Sequence, residues 1–156
     1  ELTSRYPELK IIHQEKNGGK GEALKKGILM ARYGHSLFLD ADNSTSIREW
    51  DQFEPLFEKG AQVVIASRHL PGSKITCPQP WARRFLGGGY RGMSRALFGL
   101  RCSDFNCGFK AFRTELGKRI YSQNQMKDWT FDVEFFCRLK REGVMFKQLP
   151  YQIQVS

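Results

Sequence analysis

Two carboxylates, Asp40 and Asp42, stand one residue apart directly after the apolar run Leu37-Phe38-Leu39. Such a run predicts a buried strand, and ligands in open α/β sheets bind beyond the carboxyl ends of the strands. Two carboxylates at that place can hold a hard divalent ion, Mg²⁺ or Mn²⁺, which also binds a diphosphate. An isolated Asp-x-Asp is more often a turn or a helix cap than a metal site, so the interpretation depends on the preceding strand.

A glycine-rich segment from Asn17 to Gly21 is the second candidate for ligand binding. It is not a P-loop, because the spacing and the Lys-Ser/Thr ending are absent. Its glycines could let backbone N–H groups approach a phosphate, with Lys20 adding positive charge. The alternative is an ordinary tight turn before a helix.

Positive charge is concentrated in one part of the chain, whose net charge is +9. The stretch from Lys59 to Ser103 has eight Lys and Arg residues and neither Asp nor Glu. This favours an anionic partner, although a solvated basic face would have the same composition. A nucleic-acid-binding domain would interleave basic residues with aromatic ones over its sheet, and Asp40 and Asp42 would repel phosphate there. The sequence therefore argues against nucleic acid as the partner.

Within that stretch, residues 81–101 interleave aromatic and aliphatic side chains with five arginines. This pattern is typical of an amphipathic segment at the surface of an anionic membrane. A helix packed on the sheet, with its arginines facing solvent, is the alternative. No apolar run approaches the roughly 20 residues that a membrane-spanning helix needs.

The elements that position these residues alternate between strands and helices, which predicts a single α/β domain over residues 1–156 with a largely parallel sheet. Ser46 is a predicted helix cap, with Glu49 at the third helical position of a capping box. The four cysteines contain no CxxC pair and do not indicate a zinc site; Cys107 and Cys137 are predicted core thiols. The predicted strands cover 10–14, 36–39, 62–66, 108–112 and 145–155, and the predicted helices 22–31, 47–58, 81–100, 114–122 and 129–141.

Several sequence blocks together resemble the inverting family 2 glycosyltransferases. The first two blocks are Asn17-x-Gly19-Lys20-Gly21-x-Ala23 and the segment from Phe38 to Thr45. Further blocks resemble the dolichyl- or polyprenyl-phosphate hexose synthases, most closely the dolichyl-phosphate β-glucosyltransferase branch. These blocks are Ala66-Ser67-Arg68, Arg83-Arg84, Ser103 to Phe112 and Trp129 to Glu134.

The resemblance implies a GT-A fold, a Rossmann-like sheet that is largely parallel or mixed and flanked by helices. It implies metal-dependent transfer of glucose or mannose, with inversion, from UDP-glucose or GDP-mannose to dolichyl or polyprenyl phosphate. The alternative is a family 2 enzyme acting on a polysaccharide or another soluble acceptor. The lipid acceptor implies a membrane surface at the cytoplasmic face, of the plasma membrane in a prokaryote or the endoplasmic reticulum in a eukaryote.

The resemblance also implies residue roles. Asp40 and Asp42 would bind Mg²⁺ or Mn²⁺, and with Lys20 they would form the nucleotide-sugar site. The acceptor phosphate would be bound by Arg68, Arg83 and Arg84, whose guanidinium groups suit phosphate. The catalytic candidates on the acceptor side are Asp104, Asp132 and Glu134. Because the acceptor is already an anion, Asp104 is expected to act by positioning or electrostatics rather than by removing a proton.

The chain departs from these families at its beginning. Relatives start with two further strands, ending in a Pro-x-Tyr-Asn-Glu-like segment and in Asp-Asp-Gly-Ser, that bind the base and ribose. Neither segment occurs in these 156 residues, and the first residue is Glu1 rather than Met. The expectation is an N-terminally truncated catalytic domain that holds the metal and acceptor half of the site.

Overall fold

The computed structural model describes residues 2–42, 45–75, 81–128, 130–150 and 152–153, with the backbone alone for residues 2, 75, 81–86, 91, 152 and 153. A 3₁₀ turn, Ile47–Glu49, precedes α3. The helices are α1 Leu2–Arg5, α2 Gly19–Leu29, α3 Trp50–Glu58, α4 Trp81–Phe98, α5 Thr114–Ser122 and α6 Phe131–Arg141. The strands are β1 His35–Leu39, β2 Val63–Ser67, β3 Lys74–Ile75, β4 Phe109–Arg113, β5 Lys147–Pro150 and β6 Gln152–Ile153.

The main sheet is mixed and has the order β1-β4-β2-β5. Strand β4 lies antiparallel between β1 and β2, whereas β5 runs parallel to β2. The predicted α/β fold with a mixed sheet is thus confirmed. The largely parallel sheet expected from the order of the elements is not, because two of the three strand pairings in the main sheet are antiparallel. A short parallel pairing of β3 with β6 forms a separate ladder.

Alternation along the central strands sends side chains to two helical layers. Val63 and Ile65 of β2 belong to one buried cluster, and Val64 and Ala66 belong to the other. The first cluster packs against α2, α5 and α6, and the second packs against α3. Because side chains in a strand alternate with a period of two, Lys110 of β4 points to the same side as Phe112, toward α6.

The main difference from the predicted elements concerns residues 10–14, which form no strand in the structure. Ile11 is 59% exposed and Ile12 is 39% exposed. A strand needs a neighbour for its backbone hydrogen bonds, and no described strand pairs with this segment. The predicted strand, which rested on the apolar residues of this segment alone, is therefore wrong.

The predicted cap of the third helical segment is confirmed in part. The Ser46 hydroxyl accepts the N–H of Arg48 at 3.3 Å, as an N-cap does. Glu49 does not complete a capping box in the described bonds, because its carboxylate accepts from Gln52 Nε2 at 3.0 Å. One turn of 3₁₀ helix thus leads into α3.

Candidate active site

Several of the predicted site residues lie at one edge of the sheet. Asp40 follows β1 and Arg68 follows β2 directly, so both lie at carboxyl ends. Since β4 runs antiparallel, its amino end lies at this same edge, and Leu39 pairs with Phe109. The segment before β4, from Asp104 to Gly108, therefore meets both strand ends.

Asp40 is held from two sides. Its carboxylate Oδ1 accepts from Lys20 Nζ at 2.7 Å, and its backbone N–H donates to Gly108 O at 3.1 Å. A side chain at Gly108 would overlap the Asp40 carboxylate, so glycine is required for this close approach. The side chains of Lys20 and Asp40 remain 37% and 29% exposed, and Asp42 is exposed as well.

The glycine-rich segment packs against protein rather than forming an open cradle. The Gly19 N–H donates to Asn17 Oδ1 at 3.0 Å, and the Gly21 N–H donates to Lys127 O at 2.9 Å. A Cβ on Gly21 would lie 2.8 Å from Met126 O. These contacts favour the tight-turn alternative. The turn starts α2 in a fixed place and directs Lys20 toward Asp40.

A second ion pair lies beneath this edge. Lys110 Nζ is 2.5 Å from Asp132 Oδ1, and the two side chains are 0% and 6% exposed. Burial raises the pKa of Asp132, since desolvation disfavours the carboxylate, and the charge of Lys110 opposes this only in part. The nearby charges of Lys20 and Asp40 also act on Asp132, so the two ion pairs share one electrostatic environment.

The ring of Phe38 lies near both ammonium groups. Its ring centroid is 5.1 Å from Lys20 Nζ and 5.6 Å from Lys110 Nζ. Phe131 meets the same ring edge-on, with 6.5 Å between centroids. An aromatic face attracts cations at these distances, so Phe38 stabilises both ammonium groups.

A third ion pair joins the ends of β2 and the segment before β4. Arg68 Nε donates to Asp104 Oδ2 and Nη2 donates to Oδ1, each at 2.7 Å, and the Arg68 N–H donates to Oδ2 at 3.1 Å. Burial by itself would raise the pKa of Asp104, but the hydrogen bonds and charge of Arg68 outweigh it, and the pKa is lowered. Asp104 is therefore a stable anion and a weak base.

A polar network holds this third pair in place. The Ser103 hydroxyl lies 2.6 Å from Ser67 Oγ and 2.5 Å from Gln148 Oε1, and the Ser103 N–H donates to Gln148 Oε1 at 2.8 Å. Ser67 and Ser103 immediately precede Arg68 and Asp104. Gln148 of β5 thereby fixes the separation of the two backbones that carry the pair.

Glu134 has a different environment from the other predicted acceptor-side residues. Its carboxylate accepts the N–H groups of Gln125 and Met126 and pairs with Arg138 at 2.6 Å. Residues two apart on a helix point about 200° apart, so Glu134 and Asp132 face different sides of α6. The contacts of Glu134 are those of a residue that secures the segment before α6.

The paired arginines, Arg83 and Arg84, lie at the start of α4, but their side chains are outside the part of the chain that the structure describes. Asn43, Ser44 and Trp129 are also outside it. Farther along α4, Tyr90 packs against the core and Ser94 is buried, whereas Met93, Leu97 and Phe98 are 55%, 70% and 45% exposed. The described part of α4 thus combines one packed face with exposed apolar side chains. Within the described residues, no helix has the length and apolar character to cross a membrane.

The buried Lys110 was not singled out from the sequence, although it lies in one of the resembling blocks. The feature of the sequence that points to it is a charged residue within the otherwise apolar run 109–112. Lysine is almost never fully buried without a partner, so a lysine in a buried strand indicates a buried anion close to it. The identity of that anion, Asp132, came from the packing of α6 on β4.

Comparison with known proteins shows the family of this chain. The model of the family described as Glycosyl transferase family 2 matches residues 1–120. The chain belongs to glycosyl transferase family 2. This confirms the resemblance drawn from the sequence blocks.

Curated relatives show which members of family 2 this chain is similar to. Dolichyl-phosphate beta-glucosyltransferase ALG5C of Trichomonas vaginalis is 30% identical over 95% of this chain and 45% of its own length. Polyprenol monophosphomannose synthase of Mycolicibacterium smegmatis is 28% identical over 90% of this chain and 54% of its own length. The chain thus spans about half the length of these relatives.

A solved structure confirms the GT-A-like fold. Glucosyl-3-phosphoglycerate synthase from Mycobacterium tuberculosis, in complex with Mn²⁺ and uridine-diphosphate-glucose, superposes with a TM-score of 0.60 at 17% identity. The match covers 98% of this chain and 50% of that one. At this identity the likeness concerns the fold alone.

Proposed function

We propose that this family 2 chain is the metal- and acceptor-binding part of an enzyme that transfers a hexose, with inversion, from a nucleotide diphosphate sugar to dolichyl or polyprenyl phosphate. The observation that carries the acceptor class is the similarity, along nearly the whole chain, to relatives named for dolichyl phosphate and polyprenol phosphate. In this reaction an acceptor phosphate oxygen bonds to the anomeric carbon. The bond from that carbon to the diphosphate breaks, and its electron pair leaves with the diphosphate.

The donor set at the end of β1 fits a divalent ion. Asp40 is partly exposed and Asp42 is exposed, and carboxylate oxygens are ligands that Mg²⁺ and Mn²⁺ prefer. Within the described residues, no cluster of three or more His, Cys, Asp or Glu could hold a metal ion. Two carboxylates suffice where substrate phosphates complete the shell, as is usual for Mg²⁺. When bound, the ion would neutralise charge on the leaving diphosphate.

The side chains around this centre have separable proposed roles. Lys20 supplies positive charge beside the diphosphate, and Arg68, Arg83 and Arg84 hold the acceptor phosphate. Asp104 orients Arg68 through two hydrogen bonds of 2.7 Å. Its lowered pKa makes it a poor proton acceptor, and a phosphate acceptor needs none. Asp132 shapes the acceptor side from α6. Glu134, bonded to Gln125, Met126 and Arg138, is proposed to act indirectly, by securing the segment before α6.

The proposed acceptor requires access to a membrane surface at its cytoplasmic face. The exposed Met93, Leu97 and Phe98 of α4 support that location, because apolar side chains beside arginines suit an anionic interface. The first turn of the same helix carries Arg83 and Arg84. The helix would thus bring the proposed phosphate-binding arginines to the level of the lipid head groups.

The test is formation of a lipid-linked sugar. The full-length protein in membranes would be incubated with UDP-glucose or GDP-mannose, polyprenyl phosphate and Mn²⁺. Failure with both donors, together with transfer to a soluble or polysaccharide acceptor, would overturn the lipid acceptor in favour of the alternative. Asp42→Ala should abolish transfer, whereas Asp51→Ala, which removes an exposed carboxylate on α3, should not. Full activity of Asp42→Ala would refute the metal role.

A further inference from the structure

The ammonium group of Lys20 occupies a place at the proposed metal site that a divalent ion would need. Its Nζ lies 2.7 Å from Asp40 Oδ1, which is hydrogen-bonding distance. The other side of this carboxylate lies against Gly108, where a Cβ would overlap it. Asp40 therefore has little freedom to turn away from Lys20 toward a second cation.

The backbone that carries Lys20 is also fixed. Gly19 has a φ of 80°, a conformation that other residues rarely adopt, and Gly21 donates to Lys127 O at 2.9 Å. The side chain is mobile by comparison, because a lysine has four rotatable bonds and Lys20 is 37% exposed. An anchored backbone and a partly solvated ammonium group allow the charge to move without refolding the loop.

Two cations beside one carboxylate repel each other, so a metal ion and Lys20 cannot both bind Asp40 at full strength. We propose that Lys20 is an internal counter-ion that competes with the divalent ion for Asp40. Arrival of a diphosphate offers the ammonium group a new anionic partner, so the metal ion binds most tightly together with the diphosphate. This inference rests on the proposed metal site of the transferase.

The test is the affinity for Mn²⁺, measured on the full-length protein by electron paramagnetic resonance of the free ion, first without and then with UDP. Lys20→Gln should raise the affinity about two- to fivefold, the range expected when a partly exposed ion pair is lost. Lys26→Gln is the matched control, because it removes the same charge from the same helix. It should bind Mn²⁺ as the unaltered chain does. Adding UDP should strengthen Mn²⁺ binding more in the unaltered chain than in Lys20→Gln.

The outcomes separate this inference from the proposed function. If Asp40→Asn loses Mn²⁺ but Lys20→Gln binds it no better than Lys26→Gln, competition is overturned and the metal site stands. If the unaltered chain binds no Mn²⁺ either alone or with UDP, both the metal site and the competition are overturned. If Lys20→Gln binds more tightly but no lipid-linked sugar forms in membranes, the competition stands and the lipid acceptor does not. Circular dichroism of each variant verifies that the fold is retained.

Discussion

The two ion pairs near Phe38 have the same chemical groups and opposite environments. Lys20 and Asp40 are 37% and 29% exposed at the mouth of the site, whereas Lys110 and Asp132 are 0% and 6% exposed beneath it. A solvated pair separates at little cost, because water replaces the partner. A buried pair cannot separate without leaving a charge in a poorly solvating interior. We infer that the exposed pair, Lys20 with Asp40, can exchange partners, whereas the buried pair, Lys110 with Asp132, keeps a fixed geometry.

The largest expected difference between the two ion pairs is in how much each contributes to the free energy of unfolding. Lys110→Met should lower the free energy of unfolding by about 3–5 kcal/mol, because Asp132 would be left buried without its partner. Lys20→Met should lower it by about 1 kcal/mol or less. Urea unfolding followed by circular dichroism measures both values. A double variant, Lys110→Met with Asp132→Leu, should recover most of the loss, since it removes both charges. Equal losses for the two single variants would contradict the comparison.

A smaller effect is expected where Asp40 meets the sheet. Gly108→Ala should cost about 1–3 kcal/mol, because its Cβ would overlap the Asp40 carboxylate and force it or the strand to shift. The displaced carboxylate should also weaken Mn²⁺ binding. Gly27→Ala of α2 is the control, since no atom lies near its added Cβ, and alanine is the better helix former. Unchanged Mn²⁺ affinity in Gly108→Ala would show that the position of Asp40 does not matter for the metal.

The smallest and most discriminating effect is in the pH dependence of stability. The pKa of Asp104 is lowered in the folded chain, so its contribution is present above the unfolded pKa, about 3.9, and is lost as the pH falls through the folded value. The pKa of Asp132 is raised, so its contribution is present below the unfolded pKa and is lost as the pH rises through the folded value.

The opposite pH dependences of these two contributions to stability can be measured by urea unfolding at intervals from about pH 3 to 6. The stability difference between the unaltered chain and Asp104→Asn should grow in favour of the unaltered chain as the pH rises. The difference from Asp132→Asn should shift in the other direction. The same trend for both variants would show that burial and pairing do not distinguish the two carboxylates.

Much of the site's scaffold was predictable from local patterns. The apolar run before Asp40 predicted β1, the β-branched run before Arg68 predicted β2, and Ser46 predicted a helix start; each is present. These features depend on neighbours along the chain, such as the alternation of a strand or the first free N–H groups of a helix. Local patterns failed at residues 10–14, where a strand would have needed a partner that the described residues do not provide.

The amino-acid sequence by itself determined the residue types at the strand ends, the basic stretch and the membership of family 2. Only the tertiary structure decided which charges meet: Asp40 with Lys20, Asp104 with Arg68, and Asp132 with Lys110. It also turned Glu134 toward the backbone of Gln125 and Met126. The partners in these ion pairs lie 20 to 36 positions apart. Such pairings follow from the antiparallel insertion of β4 and the packing of α6, which no local pattern specifies.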